Sequence, residues 1–249
     1  MSSHKIIGIN PVLEALKAGR PVQRILVADQ RRQDRDLQAI LRLARGLGVE
    51  VRFSGRDLLN REAPGANHQG VIALASAKEY ATLDDILRIP AEKGQVPLYL
   101  VLDGVEDPRN LGAILRTADA AGVHGVVIPD RRASGLTETV AKTAAGALEH
   151  VPVVKVTNIV NTLETLKKAG VWITGAEADG PTVYWDADLI RPTAIVLGGE
   201  DRGVRRLVRE HCDYLVSLPQ AGRISSLNVS VAAGILLYET LRQRSVKSS

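Results

Sequence analysis

The chain has 249 residues, 45 % of them apolar and 24 % charged, with a net charge of +4. These are the values of an ordinary soluble globular protein large enough for one or two domains. Its longest apolar run near the C-terminus, Val229 to Tyr238, is about half a membrane span, and aromatics at 3 % argue against RNA recognition led by base stacking.

The charge is uneven. Residues 1–76 carry 12 Lys and Arg against 7 Asp and Glu, a net of +5, and the remainder carries 20 against 21, a net of −1. A small basic unit on a near-neutral body fits a nucleic-acid docking domain attached to an enzyme; it fits an Arg-rich solvated surface equally well.

Taken in chain order, Gly8-Ile9-Asn10-Pro11 opens a helix with Asn10 as cap and Pro11 at the first helical position, and Gly19 stops it. Gln23 to Ala28 reads as a strand, Asp34 to Gly48 as a helix, and Val49 to Phe53 as a strand. Ser54 caps a short helix through Leu59, and Val71 to Ala75 is a further strand. From Ser76 to Val96 the pattern weakens: a short helix around Leu83 to Ile89 precedes Pro90, Gly94 and Pro97, so residues 77–96 read as a linker.

Beyond it, strands are expected at Leu98–Leu102, Gly125–Ile128, Val153–Val156, Val171–Thr174, Ala194–Leu197 and Tyr214–Ser217. Helices fall between or after them, at about 109–122, 137–148, 158–169, 203–211 and 228–244. Short apolar strands alternating with helices imply an α/β fold with a largely parallel sheet covered on both faces. The last few residues, Ser245 to Ser249, read as frayed.

The single cysteine, Cys212, excludes an internal disulfide and favours a reducing compartment. Residues 1–5 lead into no sustained apolar region, so no signal peptide is expected and the location is read as cytoplasmic. The five histidines show no metal-ligand spacing, and Ser225 and Ser226 lack the context of a nucleophile elbow, so no metal is expected.

In an open α/β sheet, ligands bind outside the carboxyl ends of the strands, and three strand ends here are unusual. The first runs Asp103-Gly104-Val105-Glu106-Asp107-Pro108-Arg109-Asn110 and on to Arg116. Asp107 and Pro108 start a helix; Asn110 and Arg116 lie about 120° apart around it, both able to border one cleft. The second is Gly198-Gly199-Glu200-Asp201-Arg202-Gly203, three glycines that permit close backbone approach but match neither a dinucleotide fingerprint nor a P-loop. Glu200 and Asp201 also fit the opening of the next helix. The third is Ile224-Ser225-Ser226-Leu227-Asn228-Val229-Ser230, where two hydroxyls and an amide meet at a helix start. Ser225 and Ser226 suit an N-cap, with Leu227, Val231, Leu236 and Leu237 as the apolar face. Each segment alone reads either as a capped helix or as part of a site.

Together and in this order, the three segments resemble the SpoU (TrmH-like) branch of the SPOUT methyltransferases. Motif 1 falls at Asn110…Arg116, motif 2 at Ile195…Gly203 and motif 3 at Leu218…Ala232, over about 150 residues. Residues 1–76, with Gly8-Ile9-Asn10-Pro11-Val12 and Asn67-His68-Gln69-Gly70, resemble the L30e-like RNA-binding domain found in one subgroup. The whole is most similar to the bacterial 23S rRNA guanosine 2′-O-methyltransferases.

The resemblance implies a domain at 1–76 that binds the RNA substrate, a linker at 77–96, and at 97–249 a SPOUT domain with a trefoil knot in its parallel sheet. It implies S-adenosylmethionine as methyl donor, S-adenosylhomocysteine as product, and a homodimer with composite active sites. Thr174, Gly175, Ala176, Leu197, Gly198, Gly199, Leu218, Ser226 and Leu227 would hold the cofactor. Arg116, Asn110, Glu200, Ser226 and Asn228 would form the catalytic group, with Glu200 pairing Arg116 and fixing its rotamer. The implied reaction is 2′-O-methylation of a guanosine in the peptidyl-transferase region of 23S rRNA. The alternatives are a tRNA guanosine 2′-O-methyltransferase and an inactive RNA-binding protein of the same fold. Arg20, Arg24, Arg31, Arg32 and Arg35 are the RNA-contact candidates of the basic unit.

Overall fold

A computed structural model describes residues 3–200, 202–223 and 226–246. Asp201, Ser225 and the final Lys247 to Ser249, all of which carry expectations above, lie outside the described residues. By its internal packing the chain divides into two compact units, Met1–Glu79 with Leu136–His150, and Tyr80–Gly135 with Val151–Ser249.

The first unit has a four-stranded sheet in the order β1-β4-β2-β3, built from β1 (Ser3–Ile7), β2 (Val22–Ala28), β3 (Glu50–Ser54) and β4 (Val71–Ser76). Strand β4 is antiparallel to both β1 and β2, and β2 is parallel to β3. Helices α1 (Ile9–Lys17) and α2 (Arg35–Gly46) bury Val12, Ala15, Leu16, Leu37, Ile40 and Ala44 with Ile25, Val27 and Ala73 of the sheet. Helix α3 (Arg56–Glu62) places Leu59 beside Leu26 and Ile72.

Three local expectations change here. Gly8, at φ 105°, is the N-cap of α1 and Asn10 lies inside the helix; Ile9 N–H is taken by the Gln69 side chain at 3.1 Å. Gly55, not Ser54, precedes α3. The helix expected at 137–148 is broken into α6 (Glu138–Ala144) and a 3-10 turn at Ala147–Glu149. The break falls where Ala145 at φ 53° and Gly146 at φ 105° leave the right-handed helical region; a Cβ at position 146 would lie 2.8 Å from Glu14 Cγ of α1, so glycine is required there. This segment is tied to the unit by charge as well. Glu149, buried, pairs with buried Arg20 at 2.6 Å and with Lys78 at 3.2 Å.

The second unit has a seven-stranded sheet in the order β7-β6-β5-β10-β8-β11-β9. Its strands are β5 (Leu98–Asp103), β6 (Gly125–Pro129), β7 (Val153–Val156), β8 (Trp172–Ala176), β9 (Thr182–Val183), β10 (Thr193–Gly198) and β11 (Tyr214–Ser217). Every pairing is parallel. Strands β5 and β6 are buried along their whole length, as a sheet covered on both faces demands. The two-residue β9 is too short to carry a periodic signal in the sequence.

Most of the stretch that reads as a linker is α4 (Leu83–Lys93), opened by a Thr82–Asp85 capping box and closed by Gly94 at φ 62°. It runs through Pro90. Proline cannot donate to the carbonyl four residues back, and that carbonyl, Ile86 O, accepts instead from the buried Tyr99 hydroxyl at 3.3 Å. Burial pushes the Tyr99 phenol up to about 12, so it remains a donor.

Helix α5 (Pro108–Ala120) starts with Asp107 accepting from Arg109 N–H, with Pro108 in its first turn. Helices α7 (Ile159–Lys168) and α8 (Arg206–Glu210) complete the cover. Helix α9 (Val229–Val246) packs against α5. It buries Val229, Ala233, Leu236, Leu237 and Thr240, whereas Leu227 and Val231, expected on that face, are exposed. No described helix is long and apolar enough to cross a membrane.

Candidate functional site

The carboxyl ends of β5, β8, β10 and β11 carry the unusual residues, and the glycines of the Gly198–Gly203 turn explain how they come together. Gly199 N–H donates to Asp103 O at 2.9 Å and Gly203 N–H to Gly199 O at 3.0 Å. A Cβ on Gly198 would sit 1.9 Å from Gly203 C, and one on Gly199 would sit 2.3 Å from Gly104 O. Only glycine fits at either position.

A cleft of about 460 Å³ opens beside this turn. Of the nine residues expected around a cofactor, Ala176, Leu197, Gly198, Gly199, Leu218, Ser226 and Leu227 line it. Thr174 and Gly175 do not; Thr174 is buried inside β8, and Gly175 packs against Cys212 and Leu215. Burial pushes the Cys212 thiol up to about 12.

Sequence reasoning missed Glu177, which also lines the cleft. Its Oε1 accepts from Val204 N–H at 3.0 Å. The available signal is its place directly after Thr174-Gly175-Ala176 at a strand end. Asp103, the first residue of the first unusual strand end, has a structural part that its sequence context does not reveal. It is buried and held by Arg205, whose Nε donates to Oδ1 at 2.7 Å and whose backbone N–H donates to Oδ2 at 2.8 Å. That ion pair joins the end of β5 to the start of α8.

Asn110, Glu200 and Asn228 form one cluster. Asn228 Nδ2 donates to Asn110 Oδ1 at 3.0 Å and to Glu200 Oε1 at 3.4 Å, and Asn110 Nδ2 also donates to Glu200 Oε1. Asn228 is in addition the cap of α9: its Oδ1 accepts from Ser230 N–H at 2.9 Å and from Ser230 Oγ at 2.5 Å. The cap expected from Ser225 or Ser226 thus belongs to Asn228. Ser226 is exposed at the cleft rim.

The expected Arg116–Glu200 pair does not form within the chain. Glu200 is occupied by the two amides. Arg116 projects from α5 into solvent with no partner among the described residues. A guanidinium stays protonated, so Arg116 can stabilise negative charge but cannot accept a proton. Among the described residues no group of three or more His, Cys, Asp or Glu is placed to hold a metal ion.

The SpoU rRNA Methylase family model matches residues 97–238, and a second, "RNA 2'-O ribose methyltransferase substrate binding", matches residues 5–81. The Bacillus subtilis protein named "Putative TrmH family tRNA/rRNA methyltransferase YacO" is 46 % identical over 96 % of this chain and 95 % of its own. A Staphylococcus aureus protein of the same TrmH family name is 43 % identical over 98 % of both chains. Among solved structures, the SpoU methyltransferase AviRb from Streptomyces viridochromogenes, in complex with AdoMet, superposes with a TM-score of 0.81 at 30 % identity, covering 98 % of this chain and 91 % of that one. An AdoMet-bound rRNA methyltransferase from Sinorhizobium meliloti superposes at 0.79 with 25 % identity, covering 96 % and 87 %.

Proposed function

The chain belongs to the SpoU rRNA Methylase family and is a methyltransferase, and from that premise we propose that it methylates the ribose 2′-OH of a guanosine in 23S rRNA, in the peptidyl-transferase region. The observation that carries the reading is that Glu200, held by the Asn110 and Asn228 amides, lines a cleft of about 460 Å³, a size that suits a nucleoside cofactor.

The cleft fits S-adenosylmethionine in chemistry as well as size. Leu197, Leu218, Leu227 and Ala176 offer apolar walls; Gly198 and Gly199 bring bare backbone to the rim; Glu177 offers a carboxylate with one oxygen already fixed. When bound, the cofactor supplies an electrophilic sulfonium methyl. This chain's residues then have two tasks, aligning the ribose oxygen with that methyl and stabilising the oxygen as it gains negative charge. The two amides lock Glu200 in one rotamer, so the cluster is pre-organised to orient the ribose. Arg116 supplies positive charge to the developing alkoxide or a neighbouring phosphate. Its exposure and its lack of a partner among the described residues suit action across a homodimer, and exposed Val231 and Tyr238 on α9, the helix packed on α5, suit the apolar part of such an interface. The reading includes a trefoil knot, supported by the insertion of β10 between β5 and β8 and by the Gly198–Gly203 approach.

The basic first unit would dock RNA through phosphates and shape. Of the candidate arginines, Arg20 is committed to Glu149 and Arg31 to Asp34 and Gln69 O, which leaves Arg24, Arg35 and Arg32, the last exposed with its guanidinium over the Phe53 ring at 4.3 Å, as the better candidates. Deleting residues 1–76 would also strip α6 of its packing on β1, so the role is tested by substituting these three arginines in the full chain. Transfer of label from methyl-labelled S-adenosylmethionine to rRNA fragments and to tRNA, with the modified nucleotide mapped, tests the assignment. Label on a guanosine of the peptidyl-transferase region supports it; label on tRNA alone replaces the target; no label on either RNA rejects it.

A further inference from the structure

We propose that a second cleft in the same unit, of about 370 Å³, seats a phosphodiester of the RNA strand next to the target ribose, gripped by Arg131, Arg132 and Arg202. The proposal rests on the RNA methyltransferase reading above. The cleft lies outside the carboxyl ends of β5, β6 and β10, bordered by Asp103, Pro129 and Gly199. It shares Gly199, Glu200, Arg202 and Gly203 with the cofactor cleft, so one turn separates the two.

Four arginines line this concavity, and only one is matched inside the fold. Arg205 neutralises buried Asp103. Arg131, Arg132 and Arg202 are exposed and have no hydrogen bond or ion pair among the described residues. Two further carboxylates line the cleft, Glu106 and Glu200, and Glu200 already accepts from Asn110 and Asn228. Among the described lining residues the balance is a modest positive excess, suited to one singly charged diester. The guanidinium fork matches two phosphate oxygens at once.

The turn that carries two of these arginines is built, not frayed. Asp130 N–H donates to Val156 O at 2.8 Å and Ser134 N–H to Val105 O at 2.9 Å. Between these anchors Arg132 adopts φ 58°, a left-handed conformation that side chains with a Cβ adopt rarely. Non-glycine residues held there concentrate at functional sites. Arg131 and Arg132 border the second cleft and not the cofactor cleft, which separates an RNA role from a cofactor role.

The test is the full-length double variant Arg131→Gln/Arg132→Asn, Asn being tolerant of the left-handed region. Affinity for a single-stranded rRNA fragment is measured by fluorescence anisotropy across a salt series, and S-adenosylmethionine affinity by calorimetry. RNA affinity is expected to fall about tenfold at about 0.15 M salt, and the slope of log affinity against log salt to become shallower by about 0.7 for each phosphate no longer neutralised. Cofactor affinity is expected to stay the same. Unchanged RNA affinity and slope overturn the proposal, as does a loss of cofactor affinity with RNA binding intact. If the double variant unfolds, Arg131→Gln alone gives the same readouts with the strained position untouched. Methyl transfer by the unsubstituted enzyme is scored separately: its absence rejects the functional reading, whereas the binding data judge the phosphate site.

Discussion

Asn228 and Asn110 stand 118 residues apart in the chain, yet the Nδ2 of the first donates to the Oδ1 of the second at 3.0 Å. This bond joins the start of α9 to the first turn of α5. The same Asn228 side chain caps its own helix through Ser230, so one residue holds its helix start and reaches Asn110 and Glu200 at once. Asn228→Ala is expected to cost about 1–2 kcal/mol of stability by removing the cap. A double-mutant cycle with Asn110→Ala should return a coupling energy of about 0.5 kcal/mol or more. Strict additivity in denaturant titrations would separate the two residues.

Arg116 is exposed on α5 with no partner among the described residues, and the proposed reading gives it the task of charge stabilisation. Arg116→Ala is expected to abolish methylation while S-adenosylmethionine still binds, since no part of Arg116 lines the cofactor cleft. Calorimetry beside single-turnover assays makes the comparison. Near-full turnover by the variant would remove Arg116 from the mechanism.

Gly198 has no room for a methyl group, its Cβ position being 1.9 Å from Gly203 C. Gly198→Ala therefore requires the turn to move. The expected result is loss of measurable cofactor binding together with destabilisation of more than about 4 kcal/mol, the range of backbone-clash substitutions. Thermal unfolding and cofactor titration of the purified variant check it.

Tyr99 satisfies the carbonyl that Pro90 leaves open. Tyr99→Phe should cost about 1–3 kcal/mol by stranding Ile86 O. In a Pro90→Ala background the helix regains an N–H for that carbonyl, so the same Tyr99→Phe change should cost less. Equal costs in both backgrounds would show that the phenol is not the partner that matters.

His68 and His124 are both buried, each accepting a backbone N–H at Nδ1, from Gly70 at 3.0 Å and from Leu98 at 3.1 Å. Burial holds both imidazoles below their usual range, with nearby cations acting in the same direction. Below about pH 6.5 the unfolded chain takes up these protons before the native chain does. Stability is thus complete above that pH and falls as the pH drops towards the lowered native values. Denaturation midpoints between pH 7.5 and 5.5 should decline, and the decline should be smaller in His68→Asn/His124→Asn.

Much of the fold is legible in the residues, and the departures have local causes. The buried runs Leu98–Asp103 and Gly125–Pro129 announce a parallel sheet because nothing polar interrupts them before Asp103. The capping box of α4 is visible in the sequence, but Pro90 argues for a stop, and only the distant Tyr99 hydroxyl overrides it. The need for glycine at position 146 comes from Glu14, more than a hundred residues away in sequence. At the site, seven of the nine expected cofactor residues share one cleft. Opposite charge favours Arg116 as the partner of Glu200 on paper, whereas the helix starts bring the two amides to it instead. Glu177 escapes notice because a lone glutamate after a strand has no signature until Val204 fixes it.

Methylation at a ribose oxygen is tested most directly by nucleoside mass spectrometry of rRNA treated with the enzyme and methyl-labelled S-adenosylmethionine. One labelled nucleoside is expected, 2′-O-methylguanosine, which vanishes when the target position carries a 2′-deoxyribose. Label on a base, or label that survives the 2′-deoxy replacement, would contradict a ribose methyltransferase.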